Sequence, residues 1–178
     1  MAVIVIVGLA RSGKDSAADY IAEKYGYSKY TFSSVLSEML EEKGELPEKE
    51  KMIALGDKLR AETGMDALAK LLEGKIGQKD NVILVGPRSI EEIEYFKNRF
   101  PKLSIIKITA DASKRFNRKS RMDPQGKKEF FGRDSRDVES KGMQKVLDAA
   151  QSELKNNGTR KSLHAQVDNL MKRINAAN

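Results

Sequence analysis

Apolar residues fall along this chain in two rhythms, short β-branched runs and longer stretches with helical spacing. Val3 to Val7 sets five β-branched residues in succession, the pattern of a strand buried on both faces. Ala17, Ala18, Ile21, Ala22 and Tyr25 then share one helical face, which Gly26 ends as a C-terminal glycine commonly does. Tyr27 to Phe32 predicts a short second strand, followed by a helix capped by Ser33 or Ser34 with Leu36, Met39 and Leu40 turned inward. Glu41 to Lys51 is a charged break. Met52, Leu55 and Leu59 mark a further helix, interrupted at Gly64 before Met65, Leu68, Leu71, Leu72 and Ile76 resume the period as core or groove lining.

Val82 to Val85 predicts a third buried strand, and Ser89 and Glu92 have capping-box spacing for a helix with Ile90, Ile93 and Phe96 or Phe100 inward. Leu103 to Thr109 predicts a fourth strand, and Asp111 is the expected cap of the basic helix that follows. Pro124, Gly126 and Gly132 punctuate a polar stretch read as a mobile flap, with Asp134 capping a helix that reaches about Ala150. A short strand at Glu153 to Asn156, an Asn157-Gly158 turn and a helix carrying Leu163, Val167, Leu170 and Ile174 complete the pattern. Strand and helix alternate throughout, which implies a parallel sheet covered on both faces, an α/β fold with no internal repeat.

A length of 178 residues suits one compact domain spanning 1–178. No apolar run approaches the roughly 20 residues of a membrane span, so a membrane partner is not expected. The N-terminal apolar stretch is short and has no basic residues before it; it reads as a core strand rather than a signal peptide, and the expected location is cytoplasmic. With no cysteine in the chain, disulfides, thiolate metal sites and cysteine nucleophiles are excluded. The net charge of +7 suits an anionic substrate, and because the lysines and arginines are spread along the chain rather than gathered, nucleic acid is the less favoured partner.

Between the first strand and first helix lies Gly8-x-x-x-x-Gly13-Lys14, the spacing of a phosphate-binding loop. In such a loop backbone N–H groups and a helix N-terminus surround an anion while the lysine reaches the β/γ-phosphates. The position after the lysine, usually Ser or Thr to ligate Mg²⁺, holds Asp15, with Ser16 next; these two are the candidate metal ligands. A ligand of such a sheet sits beyond the C-terminal ends of its strands. Arg88 falls there directly after the third strand, where a planar guanidinium could hold a phosphate bidentately. Arg60 lies with Asp57 on the helical insert. Arg115, Arg118 and Arg121, with Arg133 and Arg136 beyond, read either as a solvated basic face or as a flap closing over a triphosphate. His164 reads as a surface residue, and Glu91-Glu92 and Glu41-Glu42 point apart on their helices, so no acid/base pair is expected.

At these residues the chain resembles the nucleoside monophosphate kinase family of phosphate-binding-loop (P-loop) proteins. More narrowly, it is similar to archaeal adenylate-kinase-related proteins often grouped with dephospho-CoA kinases. The resemblance runs through Gly8–Ser16, Leu55–Ala69, Gly86-Pro87-Arg88, Ala110–Arg118, Arg133-Asp134 and Asn156–Thr159. Arg11-Ser12-Gly13-Lys14-Asp15 also resembles deoxynucleoside monophosphate kinases and animal-type phosphomevalonate kinases. The resemblance implies a three-layer α/β/α P-loop kinase fold with a five-stranded parallel sheet, an acceptor-binding helical insert at 33–76 and a lid at 118–137. It implies an ATP- and Mg²⁺-dependent phosphotransferase acting on a small phosphorylated acceptor, first a nucleoside monophosphate, with dephospho-CoA or a phosphorylated mevalonate as alternatives. A reading of another class is an ATP-gated binding protein associated with RNA. Gly8, Ala10, Arg11, Ser12, Gly13, Lys14, Asp15 and Ser16 would hold the donor's phosphates, with Asn157 and Gly158 beside the adenine. Arg60, Arg88, Ser33 and Asp57 would face the acceptor, and Lys14, Arg88, Arg115, Arg118 and Arg121 would serve the transfer. The position before Gly86, usually Asp in this group, holds Val85, and the Asp15 carboxylate is placed to restore the missing charge at the metal.

Overall fold

The central strand β1 (Ala2–Val7) is apolar at every position because it has a core on each side. Val3, Val5 and Val7 enter one core, and Ile4 and Ile6 the other, as the two-residue period of a strand requires. The structure, a computed structural model, describes residues 2–76, 81–118, 126–139 and 142–176. The other strands are β2 (Ser28–Thr31), β3 (Asn81–Val85), β4 (Leu103–Thr109) and β5 (Ser152–Lys155), in the order β2-β3-β1-β4-β5 with every pairing parallel. The register sets Ile6 beside Val85 and Ile106, and Thr31 beside Val85, so the C-terminal ends of these strands share one edge.

The helices are α1 (Lys14–Tyr25), α2 (Phe32–Glu41), α3 (Lys49–Thr63), α4 (Ala67–Ile76), α5 (Ile90–Arg99), α6 (Ala112–Asn117), α7 (Lys127–Glu139), α8 (Met143–Asp148) and α9 (Arg160–Ala176). α1 and α9 cover the Ile4/Ile6 face, and α2, α4, α5 and α8 cover the other. The result is the three-layer α/β/α architecture with a five-stranded parallel sheet that the strand and helix pattern implies. Among the described residues no helix is long and apolar enough to cross a membrane.

Several local expectations hold in detail. Gly26 ends α1 at φ 72, and the Ser89/Glu92 capping box is complete in both directions. Others are corrected. α2 is capped by Thr31, whose Oγ1 accepts from the Ser34 N–H at 3.0 Å, because the strand hands directly to the helix and leaves Ser33 and Ser34 in its first turn. Met65 and Leu71, expected as core or groove lining, are each 42% exposed and line neither the core nor the cavity. Gly132 and Asp134 lie inside a continuous α7, and the Asp134 carboxylate is paired with Arg115 instead of capping a helix. The helical path does not run on to Ala150 as one element: α8 starts anew after Gly142, at φ 69. Asp111 occupies the N-cap position of α6 without a side-chain cap bond, its carboxylate accepting instead from Asn157 Nδ2 at 2.9 Å. His164 lies half-buried, stacked on Tyr20 at 3.7 Å between ring centroids. Arg121 and Pro124 lie outside the described residues.

Phe96 anchors the larger core, fully buried and edge-on to Phe32 at 6.2 Å. Phe96→Ala is expected to lower stability by about 3–5 kcal/mol in urea denaturation, the usual loss for deleting a buried aromatic ring.

Candidate functional site

The phosphate-binding loop is shaped by residues that approach it from outside. Glycine is required at both of its ends: Gly8 has φ 154 and Gly13 φ 102. A Cβ at position 8 would lie 2.4 Å from the Ile108 carbonyl oxygen, and one at position 13 would lie 2.1 Å from Asn156 Nδ2. Between them Arg11 takes a left-handed φ of 58, unusual for a side-chain-bearing residue.

Carbonyls of the loop are tied down one after another. Arg115 Nη1 donates to Ala10 O at 3.1 Å, and Arg118 Nη1 donates to Arg11 O and Ser12 O at 3.2 Å each. Asn156 Nδ2 donates to Ser12 O at 2.8 Å, while the Asn156 carbonyl accepts from Arg118 Nη2 at 2.6 Å. In a trans peptide the N–H points opposite to the C=O, so holding these carbonyls on one side directs the following amides to the other. Arg115 and Arg118 were expected over the donor's phosphates; here their guanidinium groups brace the loop, and neither lines the cavity beside it. Asn156, which sequence reasoning passed over, makes the loop contact, while Asn157 exchanges hydrogen bonds with Asp111 and Gly158 lies in the turn before α9.

Next to the loop opens a cavity of about 260 Å³. Gly8, Ala10, Lys14 and Asp15 line it, and so do Ser33, Asp57, Arg60 and Arg88 from other elements, so all the residues expected to face the acceptor share one space with part of the glycine loop. Phe32, Leu36, Met52 and Ile53 supply an apolar wall. Ser16 is not among the lining residues, and Ser12 is buried in the loop itself.

Arg60 owes its place to Glu92. The fully buried Glu92 accepts from Arg60 Nε at 3.1 Å and Nη2 at 2.8 Å through one oxygen, and from the Arg88 backbone N–H at 2.7 Å through the other. One carboxylate thus holds the Arg60 guanidinium and the Arg88 backbone. Burial pushes the Glu92 carboxyl up, against the pull of Arg60 and the backbone donors. Only its helix-capping spacing was visible beforehand. Arg88 meets a second unforeseen carboxylate, Asp137 of α7, at 3.6 Å, with the two side chains 43% and 15% exposed.

Lys14 donates to Leu9 O at 3.1 Å. Its pKa is pulled down to about 8, chiefly by burial and also by Arg88, Arg133 and Arg115, with Asp15 acting in the opposite direction. Positive charge around Lys14 thus outweighs the single carboxylate beside it, the condition an anionic ligand relieves. The donor set also suits Mg²⁺ brought by a nucleotide, since that ion needs only one or two carboxylates besides phosphate and water. Asp15 and Asp137 line the cavity, although Asp15 is 70% exposed and pairs with Lys29 at 3.3 Å, and Val85 closes the floor where the resemblance expects an acid. Among the described residues no group of three metal-binding side chains is present.

A family model described as an AAA domain matches residues 7–141. A UPF0200 protein of Methanoregula boonei is 33% identical over 177 residues, spanning 96% of each chain. Another, of Thermococcus sibiricus, is 30% identical over 182 residues, spanning 97% of this chain and 95% of its own. Among solved structures, shikimate kinase from Acinetobacter baumannii in complex with shikimate superposes at TM-score 0.65 with 14% identity, covering 100% of this chain and 95% of that one. Shikimate kinase from Bacteroides thetaiotaomicron gives 0.64 with 14% identity and 98% coverage of both. At such identity the likeness shows a shared P-loop kinase fold.

The depressed Lys14 pKa carries a signed consequence. Between about pH 8 and its ordinary value of 10.5 the unfolded chain binds more protons at this residue than the folded one, so its contribution to stability rises with pH across that window. A phosphate beside the ammonium favours the charged form. Calorimetric titration of ADP at pH 8 to 9, in buffers of different ionisation enthalpy, is therefore expected to show net proton uptake, which Lys14→Met removes.

Proposed function

The chain belongs to the AAA-domain family and to the UPF0200 proteins, and from that premise we propose that it is an ATP-dependent kinase acting on a small acceptor that already bears a phosphate. The observation that carries this reading is one cavity lined both by the cation-bearing glycine loop and by Arg60 and Arg88, with the Arg60 guanidinium and the Arg88 backbone held by one buried carboxylate. A donor and an acceptor anion each have cationic side chains to meet in it.

In this mechanism the loop amides and Lys14 hold the donor's terminal phosphates, with Lys14 offsetting the charge of the migrating phosphoryl group. Arg60 is pre-oriented by Glu92 and grips the acceptor's phosphate together with Arg88. An acceptor oxygen that belongs to a phosphate needs no protein base, consistent with a reaction that depends mainly on positioning and charge. Mg²⁺ would supply further charge neutralisation on the donor, with Asp15 and Asp137 the nearest candidate carboxylates. The apolar wall of Phe32, Leu36, Met52 and Ile53 suits a flat or apolar body behind the phosphate more than a polyol. A nucleoside monophosphate meets that description first; dephospho-CoA and a phosphorylated mevalonate present the same anion. Ser33 and Asp57 are the polar groups left to read the acceptor's other end.

A second reading, an ATP-gated binding protein with little transfer, draws on two observations: Val85 offers no acid at the floor, and Asp15 pairs with Lys29. The two readings separate when the protein is given Mg-ATP and a panel of phosphorylated acceptors: the kinase forms ADP only with one of them, whereas acceptor-independent hydrolysis or none favours the binding protein. For the active acceptor, Arg88→Met is expected to lower kcat/KM about 10- to 100-fold, the worth of a charge-assisted contact, with the loss in the acceptor's KM.

A further inference from the structure

Glu92 is not the only residue that sets Arg60 in the cavity wall. It holds the guanidinium through Nε and Nη2, which leaves Nη1 outside that pair. Nη1 lies against Gly56, one helical turn earlier on α3: a Cβ at position 56 would stand 3.1 Å from it and 3.2 Å from Leu36 Cδ1. Side chains on a helix lean toward its N-terminus, over the residue four positions back. Arg60 therefore lies down across position 56, and the two residues are buried together in the wall that lines the cavity.

A glycine inside a helix weakens it relative to alanine, because the unfolded chain has more backbone freedom to lose. Among the described residues three glycines lie inside helices, Gly56, Gly74 and Gly132. At Gly74 and Gly132 a Cβ would meet nothing within 4 Å. Only at position 56 does a neighbour use the space that the missing side chain leaves. Leu36 can relieve crowding there by turning about its own bonds. Arg60 has less freedom, since its guanidinium is fixed on the other side by a fully buried carboxylate.

We infer that Gly56 is a positioning residue for the acceptor: without a side chain it lets Arg60 lie flat on α3, keep both bonds to Glu92 and present its Nη1–Nη2 edge to the acceptor's phosphate. That edge is the one the carboxylate does not span, and its fork matches two phosphate oxygens. The inference deepens the proposed function and rests on the acceptor role of Arg60. A Cβ at position 56 lifts the guanidinium, so that the arginine keeps its charge in the cavity and loses its angle.

The test is Gly56→Ala in the full chain, assayed with the acceptor that supports ADP formation, beside Gly74→Ala as the control for helix propensity. Gly56→Ala is expected to raise the acceptor's KM about 5- to 20-fold, part of the worth of a charge-assisted hydrogen bond, with kcat within about twofold and the KM for ATP unchanged. Gly74→Ala should alter neither constant and should raise the melting temperature. In an Arg60→Lys background, which keeps a cation beside Glu92 but has no Nη1, Gly56→Ala should add no further loss. An unchanged acceptor KM overturns the inference. So does a loss that persists in the lysine background, the mark of direct steric fit, or one that Leu36→Val removes, the mark of a glycine serving only helix packing. If Arg60→Lys itself leaves the acceptor's KM unaltered, or if no acceptor supports ADP formation, the acceptor reading falls and takes the inference with it.

Discussion

Positive charge crowded around one glycine turn is the constraint that the rest of the site accommodates. Lys14, Arg88, Arg115 and Arg133 stand near enough for the arginines to depress the lysine's pKa, and each also sits in surroundings that exclude part of its water. Such a cluster of like charges is unfavourable by itself, and the fold contains it with three devices. Backbone carbonyls of the loop take hydrogen bonds from Arg115 and Arg118; carboxylates pair with Arg60, Arg88 and Arg115; the Phe130 ring faces the guanidinium groups of Arg11, Arg115 and Arg133. Each device leaves a different residual charge, and the gradation locates where an anion gains most.

Two of those ion pairs contrast in kind. Arg60 and Glu92 are both buried and joined by two short hydrogen bonds, so separating them would strand a charge away from water. That pair is permanent architecture. Arg88 and Asp137 are only partly buried and 3.6 Å apart, beyond ordinary hydrogen-bond length. A contact of that kind is weak enough for a ligand's phosphate to replace. One arginine is thus held rigid while its neighbour remains exchangeable, and the same glutamate bonds the first through its guanidinium and the second through its backbone N–H.

Much of the layout was legible from residue pattern. β-Branched runs marked β1, β3 and β4 because central parallel strands have no solvent-facing side to fill with polar residues. The glycine loop was legible because its two ends need backbone conformations that a Cβ obstructs, and the convergence of Lys14, Arg60 and Arg88 followed from their places after strands or on the insert. Helix boundaries around α7 were less legible. Gly132 and Asp134 signal a break locally, yet contacts of Phe130, Arg133 and Asp134 with distant residues outweigh that preference.

The sequence by itself determined the sheet, the glycine turn after its first strand and the residue types around it, since these depend on neighbours a few positions away. Tertiary structure alone decided what each charged group faces: Glu92 beneath Arg60, Asp137 opposite Arg88, Asn156 behind Gly13, and Arg115 and Arg118 on loop carbonyls. Those partners lie tens of residues apart in the chain. Their energies depend on distance and on exclusion of water, quantities that spacing along a sequence does not encode.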